Sequence, residues 1–254
     1  MWHQLRSISP VSRTSAVAFP IGALSALILE TAEIDRSWCH TIGYLSPILA
    51  GVAVGAALTG EAGDADPIAI RALLAAGRDL ATPAERIAAE LGGCREVIIL
   101  ASGADTTAGR ELALKVEEAA WLPAVFRDTE TFLHGHLPAM DGATGLVLIL
   151  ADRAGRDARS ARAQQALAAA ARIGMRPGAI LAADLDREWP AFLAPAGRLL
   201  VAEAHALPGP VAALIGTATP LQLLTARLAR ARGTNPDPIR RDQLAYREAA
   251  ALAE

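Results

Sequence analysis

From residue 95 onward the apolar residues come in short blocks separated by longer, mixed stretches. Arg95–Ala101 (REVIILA), Ala124–Phe126, Gly145–Leu150 (GLVLIL), Gly178–Ala183 and Arg198–Val201 are compact apolar runs rich in Ile, Leu and Val, and each predicts a buried strand. Between them, Thr107–Trp121 and Ala158–Ile173 carry helical patterning, with a short helix around Glu130–His134. A last long helix starts at Pro208 or Pro210, runs to Arg232 and is stopped by Gly233. Strands separated by helices of ten or more residues predict right-handed crossovers and a parallel sheet covered on both faces, an α/β protein of three αβα layers. In such a sheet the ligand sits beyond the carboxyl ends of the strands, where the strand order reverses. That rule puts Ser102–Asp105, the loop after Phe126 and the loop after Leu150 on the working face.

The first ninety residues are patterned differently. Residues 16–29 (AVAFPIGALSALIL) are apolar but broken by Pro20 and Gly22, which predicts a buried strand or short elements. An apolar helix begins near Thr41. Its core, Leu45–Leu58, carries Gly51 and Gly55 at GxxxG spacing but is shorter than the roughly 20 residues of a membrane span. A buried, close-packed helix is therefore expected, with no membrane partner. A helical stretch over 68–80 follows, then a helix with Thr82 as its cap and Pro83 in its first turn, ending at Gly92-Gly93. The tail after Gly233 begins as a Pro-rich loop and finishes in a helical turn.

Composition narrows the class. Hydrophobic residues make up 52% of the chain and aromatics 4%, so the core must be built from Ala, Leu, Ile and Val. The 24 basic and 27 acidic residues are intermixed, which gives nucleic-acid binding no basic face to use. Cys39 and Cys94 are far apart and form no CxxC pair, so neither a disulfide framework nor a cysteine-rich zinc site is expected; a reducing cytoplasm fits, and the N-terminus shows no signal-peptide pattern. Gly103 and Gly109 do not complete a GxGxxG, and no Walker or GxSxG sequence is present. His134 and His136 lack acidic or cysteine partners at ligand spacing. No metal and no organic cofactor is expected.

One charged stripe could carry chemistry. Glu111, Lys115 and Glu118 are four and three residues apart and share a helix face. Such a stripe is ordinarily a solvated surface. Its start just after a strand-loop at the sheet's carboxyl end also suits a carboxylate, partnered by lysine, that moves protons between adjacent carbons. Arg240-Arg241 in the tail offers a phosphate contact, although a solvated surface pair is the default.

Residues 99–137 resemble the sugar isomerase (SIS) domain family, in particular the second SIS domain in the isomerase half of glucosamine-6-phosphate synthase. The family pattern of strand, small glycine loop, a helix reading ALEGALKLKE and a loop ending in histidine-glycine matches Ile99–Gly103, GRELALKVEE (109–118) and Phe132–Gly135 without a gap. PLQLLTARLARARGT (220–234) is similar to a family helix reading PLQLLAYHVALIKGT, and NPDPIRRDQLAY to the tails of stand-alone SIS proteins. More weakly, residues 38–44 (WCHTIGY) look like the VASTKAF segment that lines the sugar site in the first SIS domain.

The resemblance implies a flavodoxin-like fold and a sugar-phosphate ligand. It puts Glu118 at the family's proton-transferring glutamate and His134 at the histidine that assists ring opening, with Ser102, Gly103, Glu111, Lys115, His40 and Thr41 as substrate-binding positions. It implies a homodimer with shared sites. Residues 93–232 correspond to a complete domain, 1–92 to a partial first domain with connecting helices, and 233–254 to a tail near the active site. Two family features have no counterpart: the S-x-S-G-x-T phosphate loop, which Ser12–Ser15 imitates only superficially, and a lysine near the C-terminus, where Tyr246 aligns. Either an aldose–ketose isomerase or amino-sugar-phosphate deaminase or deglycase follows, or a sugar-phosphate-binding regulatory module or relic without catalysis.

Overall fold

The computed structural model describes Leu29, Asp35 and residues 37–252. The element expected over 16–29 and the Ser12–Ser15 segment lie outside these residues, apart from Leu29. Among the described residues three helices come first: α1 (Ile42–Thr59), α2 (Pro67–Ala76) and α3 (Ala81–Leu91). They are followed by β1 (Glu96–Ala101), α4 (Thr106–Ala120), β2 (Ala124–Asp128), β3 (Thr144–Leu150), α5 (Arg156–Arg172), β4 (Arg176–Ala182) and β5 (Gly197–Val201). The long helix α6 (Gly209–Ala231) and the tail helix α7 (Leu244–Ala251) complete the order.

The five strands form one sheet in the order β2-β1-β3-β4-β5, every neighbouring pair parallel. Both faces are buried, which is why the strands read as continuous apolar runs. Val97, Ile99, Val147, Ile149, Ile180 and Leu199 face the layer of α3, α4 and α6. Their chain neighbours Ile98, Leu100, Leu146, Leu148 and Leu181 face α5, Phe132 and Trp189. The strand order reverses between β1 and β3.

Alanine and glycine let the helices sit close to the sheet. A Cβ added at Gly216 of α6 would lie 2.6 Å from Val201 Cγ1 and 3.3 Å from Leu73 Cδ1. Val201 is β-branched and has little room to turn away. Gly216→Val is expected to cost about 3 kcal/mol through overpacking, seen as a lower urea midpoint at unchanged slope.

Four expectations need correction. The helix over 42–59 is not buried: only Ala56 is, and Ile42, Val54 and Leu58 are exposed. A Cβ at Gly51 or Gly55 would meet nothing within 4 Å, so the GxxxG pair packs on nothing among the described residues. Both α1 and α6 are long and apolar enough to cross a membrane, but α6 is a core helix and α1 is not. Thr82 is not a cap, because a 3-10 turn (Gly77–Leu80) leads straight into α3 at Ala81. The side-chain cap belongs to α2, where Asp66 accepts from the Ile68 N–H at 2.9 Å. Finally, the short helix at 130–134 is a helical turn, Thr129–Thr131, that widens into a π turn over Phe132–His136.

Candidate functional site

On α4 the i,i+3 and i,i+4 spacing brings Lys115 Nζ to 2.6 Å from Glu118 Oε2 and 3.8 Å from Glu111 Oε1. The stripe is not solvated. The Lys115 side chain is 6% exposed, Glu111 13% and Glu118 21%. Burial pushes the Glu111 carboxyl up, and the Lys115 ammonium only partly offsets this. Two carboxylates and one ammonium out of water are expensive unless each is well paired.

Residues 37–44 lie over this cluster. The Cys39 thiol is buried beside the cluster and is pushed up to about 11, first by burial. Tyr44 packs against the core beside Glu111; burial and then that carboxylate raise its phenol, and its Oη has no partner. The segment is held from both sides. Asp35 accepts from the N–H groups of Thr41, Ile42 and Gly43 at 2.5, 2.8 and 3.2 Å, which caps α1. The Trp38 N–H donates to the Asp237 carbonyl at 3.1 Å, and the Ser37 hydroxyl to the Asp237 carboxylate at 3.0 Å. His40 and Thr41 are exposed next to Cys39; the His40 ring lies on Gly43, and the Thr41 carbonyl accepts from Gln222 Nε2 at 3.2 Å.

Ser102 and Gly103 belong to a different place. They sit where strand order reverses, Gly103 with φ of 62°, but the Arg159 side chain fills that point. Its guanidinium donates to the Ser102 carbonyl at 2.7 Å, to Ser102 Oγ at 3.3 Å and to Asp152 Oδ2 at 3.2 Å, and it pairs with Asp105. Asp105 also accepts from the N–H groups of Ala151 and Asp152 at 3.1 Å each. Burial is the largest influence on its carboxyl and raises it against these donors. Glu118 lies twelve residues beyond the start of α4 at Thr106, about 18 Å along the helix axis. The charged stripe therefore runs away from the carboxyl edge, and Ser102 and Gly103 do not line the Glu118 site.

That edge does hold a cleft of about 760 Å³ lined by Arg153, Arg156, Asp184, Glu203 and His205. Its arginines are already matched, Arg156 with Asp184 and Arg153 with Glu203 at 3.3 Å, and His205 Nε2 lies 2.6 Å from Glu203 Oε2. Sequence patterning found neither this cleft nor the Asp105–Arg159 network, because both join side chains from separate strand ends.

His134 is placed apart from Glu118. Its Nε2 is 2.9 Å from Glu130 Oε1 and 3.3 Å from Arg162 Nη2 on α5, on the face of the sheet opposite α4. The ring is 72% exposed. Within one chain the two proposed catalytic groups do not meet. His134→Ala is expected to shift the melting temperature by no more than about 2 °C, as surface substitutions do, a thermal melt being the check. Among the described residues no group of three His, Cys, Asp or Glu is arranged to hold a metal ion.

No protein-family model matches the chain, and neither does any curated protein sequence. Solved structures do match. The C-terminal domain of glucosamine-fructose-6-phosphate aminotransferase from Francisella tularensis aligns over 66% of this chain and 45% of its own, with TM-score 0.58 and 21% identity. Glucosamine-6-phosphate deaminase from Thermotoga maritima aligns over 87% and 61%, with TM-score 0.62 and 12% identity. The Vibrio vulnificus NanR protein, complexed with ManNAc-6P, aligns over 79% and 72%, with TM-score 0.56 and 15% identity. The chain has the flavodoxin-like fold of sugar isomerase domains. It spans about half the length of the first matched structures, 45% of one and 54% of another, the tagatose-6-phosphate ketose/aldose isomerase from Escherichia coli.

Proposed function

We propose that this chain binds a sugar phosphate at the Glu111–Lys115–Glu118 cluster and moves a proton between C1 and C2 of that sugar, as in aldose–ketose isomerisation or amino-sugar-phosphate deamination or deglycation. The observation that carries the reading is the burial of Lys115 between two carboxylates. A buried ion cluster is weak support for stability and a good indicator of a working site. Glu118 takes the proton from one carbon, an enediol or enediolamine forms, and the same carboxyl returns the proton to the neighbouring carbon. Lys115 orients Glu118, and no metal or organic cofactor enters.

The opposite placement of His134 and the face of α1 that no described residue covers both favour a homodimer in which the His134 of one subunit assists ring opening at the Glu118 site of the other. Residues 93–232 then form the working domain, the helices before it contribute the 37–44 segment, and the tail after 233 packs beside the site. Sedimentation of the purified protein as a monomer at micromolar concentration would remove this part of the reading.

Thermal stability with and without millimolar fructose 6-phosphate or glucosamine 6-phosphate tests the site. A ligand at a hundredfold excess over its Kd adds about 2.7 kcal/mol. No shift with either sugar, in a protein that melts cooperatively, would sink the phosphosugar reading. A non-catalytic, regulatory role is the second reading. It is favoured by the 2.6 Å bond that engages Glu118 with Lys115. Binding without any exchange of the C2 proton with solvent would establish it.

A further inference from the structure

Three non-glycine residues among those described have positive φ: Trp121 at 52°, Ile239 at 41° and Arg240 at 65°. For bulky and β-branched residues this is an outlying conformation, and such strain gathers at functional sites. All three meet in one place. Trp121 is the C-terminal cap of α4, three residues after Glu118. Ile239 packs with Cys39, Ala119 and Ala229, the second of which follows Glu118 in the chain. Arg240 lies between two aromatic rings, its guanidinium carbon 4.4 Å from the Trp121 centroid and 4.2 Å from that of Tyr246.

The sequence alone favoured a solvated arginine pair here. Instead Arg240 is half-buried and clamped. Among the described residues it has no carboxylate and no hydrogen-bond acceptor. Its Nε and the neighbouring Trp121 Nε1 are both enclosed without an acceptor. Buried donors are almost always satisfied, and those that are not call for a water, an ion or a ligand. Only the Nε of Arg240 is enclosed, so its terminal Nη groups remain reachable. A guanidinium held flat by stacking has already lost most of its rotamer freedom and presents a planar fork that suits a tetrahedral oxyanion.

We propose that Arg240, clamped by Trp121 and Tyr246, is an oxyanion site that takes the phosphate group of the sugar phosphate handled at Glu118. The inference rests on the Glu118 reading for the identity of the sugar, but the anion site stands on its own geometry.

Calorimetric titration with inorganic phosphate and with fructose 6-phosphate, at low ionic strength, tests it on the whole chain. The wild type is expected to bind both, and Arg240→Gln to bind both about tenfold more weakly or worse. Arg240→Lys, which keeps the charge and loses the fork, is expected to fall between. Arg247→Gln, which removes an exposed cation of the same tail, is expected to bind like wild type. A cooperative melt without ligand shows that each variant is folded. Equal binding by wild type and Arg240→Gln overturns the inference, as does a wild type that binds neither ligand. Fructose 6-phosphate binding that depends on Glu118 but not on Arg240 overturns it while leaving the proposed function intact. Phosphate binding that depends on Arg240, with no added affinity for the sugar, upholds the anion site and removes the sugar reading.

Discussion

Glu118→Gln is expected to lower exchange of the C2 proton of fructose 6-phosphate with solvent by about 10²- to 10⁴-fold, the usual contribution of a positioned general base. The amide keeps the shape of the side chain and an oxygen that accepts from Lys115, so the local packing survives. What is lost is a carboxylate able to take a proton. Lys115 keeps Glu111 as an acidic partner at 3.8 Å, so the ammonium is not left without a counter-charge. Deuterium incorporation from heavy water, followed by proton resonance on the sugar, reads the step directly. Ligand-induced thermal stabilisation should persist in the variant, because the anion contact and most of the sugar contacts are untouched. An exchange rate in Glu118→Gln equal to that of the wild type would take the base role away from this residue.

Lys115→Met is expected to destabilise the protein by about 3–5 kcal/mol, the cost of breaking a buried pair and leaving its partners behind. Methionine matches the length of the lysine stem, so no large cavity contributes. The exposures of the three side chains, 6%, 13% and 21%, leave little solvent to screen the loss. The pH dependence has a definite sign. Burial holds the Glu111 carboxyl above its ordinary value of 4.5, so the folded state binds that proton more tightly than the unfolded chain does. Its contribution is fully present below 4.5 and is lost as pH rises through the raised folded value. Without the ammonium that rise grows. The deficit of Lys115→Met should therefore be larger at pH 8 than at pH 5, as urea unfolding at the two values will show. A deficit that is small at both would mean that the cluster is far better hydrated than its burial indicates.

The two experiments separate chemistry from architecture. Glu118 is placed to act on a carbon-bound proton, while Lys115 acts through the carboxylates it orients. Loss of exchange with intact stability in the first variant, and loss of stability in the second, is the pattern this division of roles predicts.

The sequence by itself determined the strands, their parallel arrangement and the order of helices between them. That information is local: apolar runs, their lengths and the Gly and Pro that punctuate them are written in neighbouring residues. It also determined that Glu111, Lys115 and Glu118 share a face, since that needs only the helical repeat. Whether the face is wet or dry was decided by tertiary structure, because the segment around Cys39 and the tail that flanks it come from opposite ends of the chain. The same holds for Arg159, which fills the strand switch from a helix one crossover away and displaces Ser102 and Gly103 from the candidate site. Only tertiary structure put His134 on the opposite face of the sheet and, among the described residues, left one side of α1 exposed at Val54 and Leu58, although its composition is that of a core helix. Periodicity states which side chains point together; which distant segment arrives to meet them depends on the packing of the whole chain.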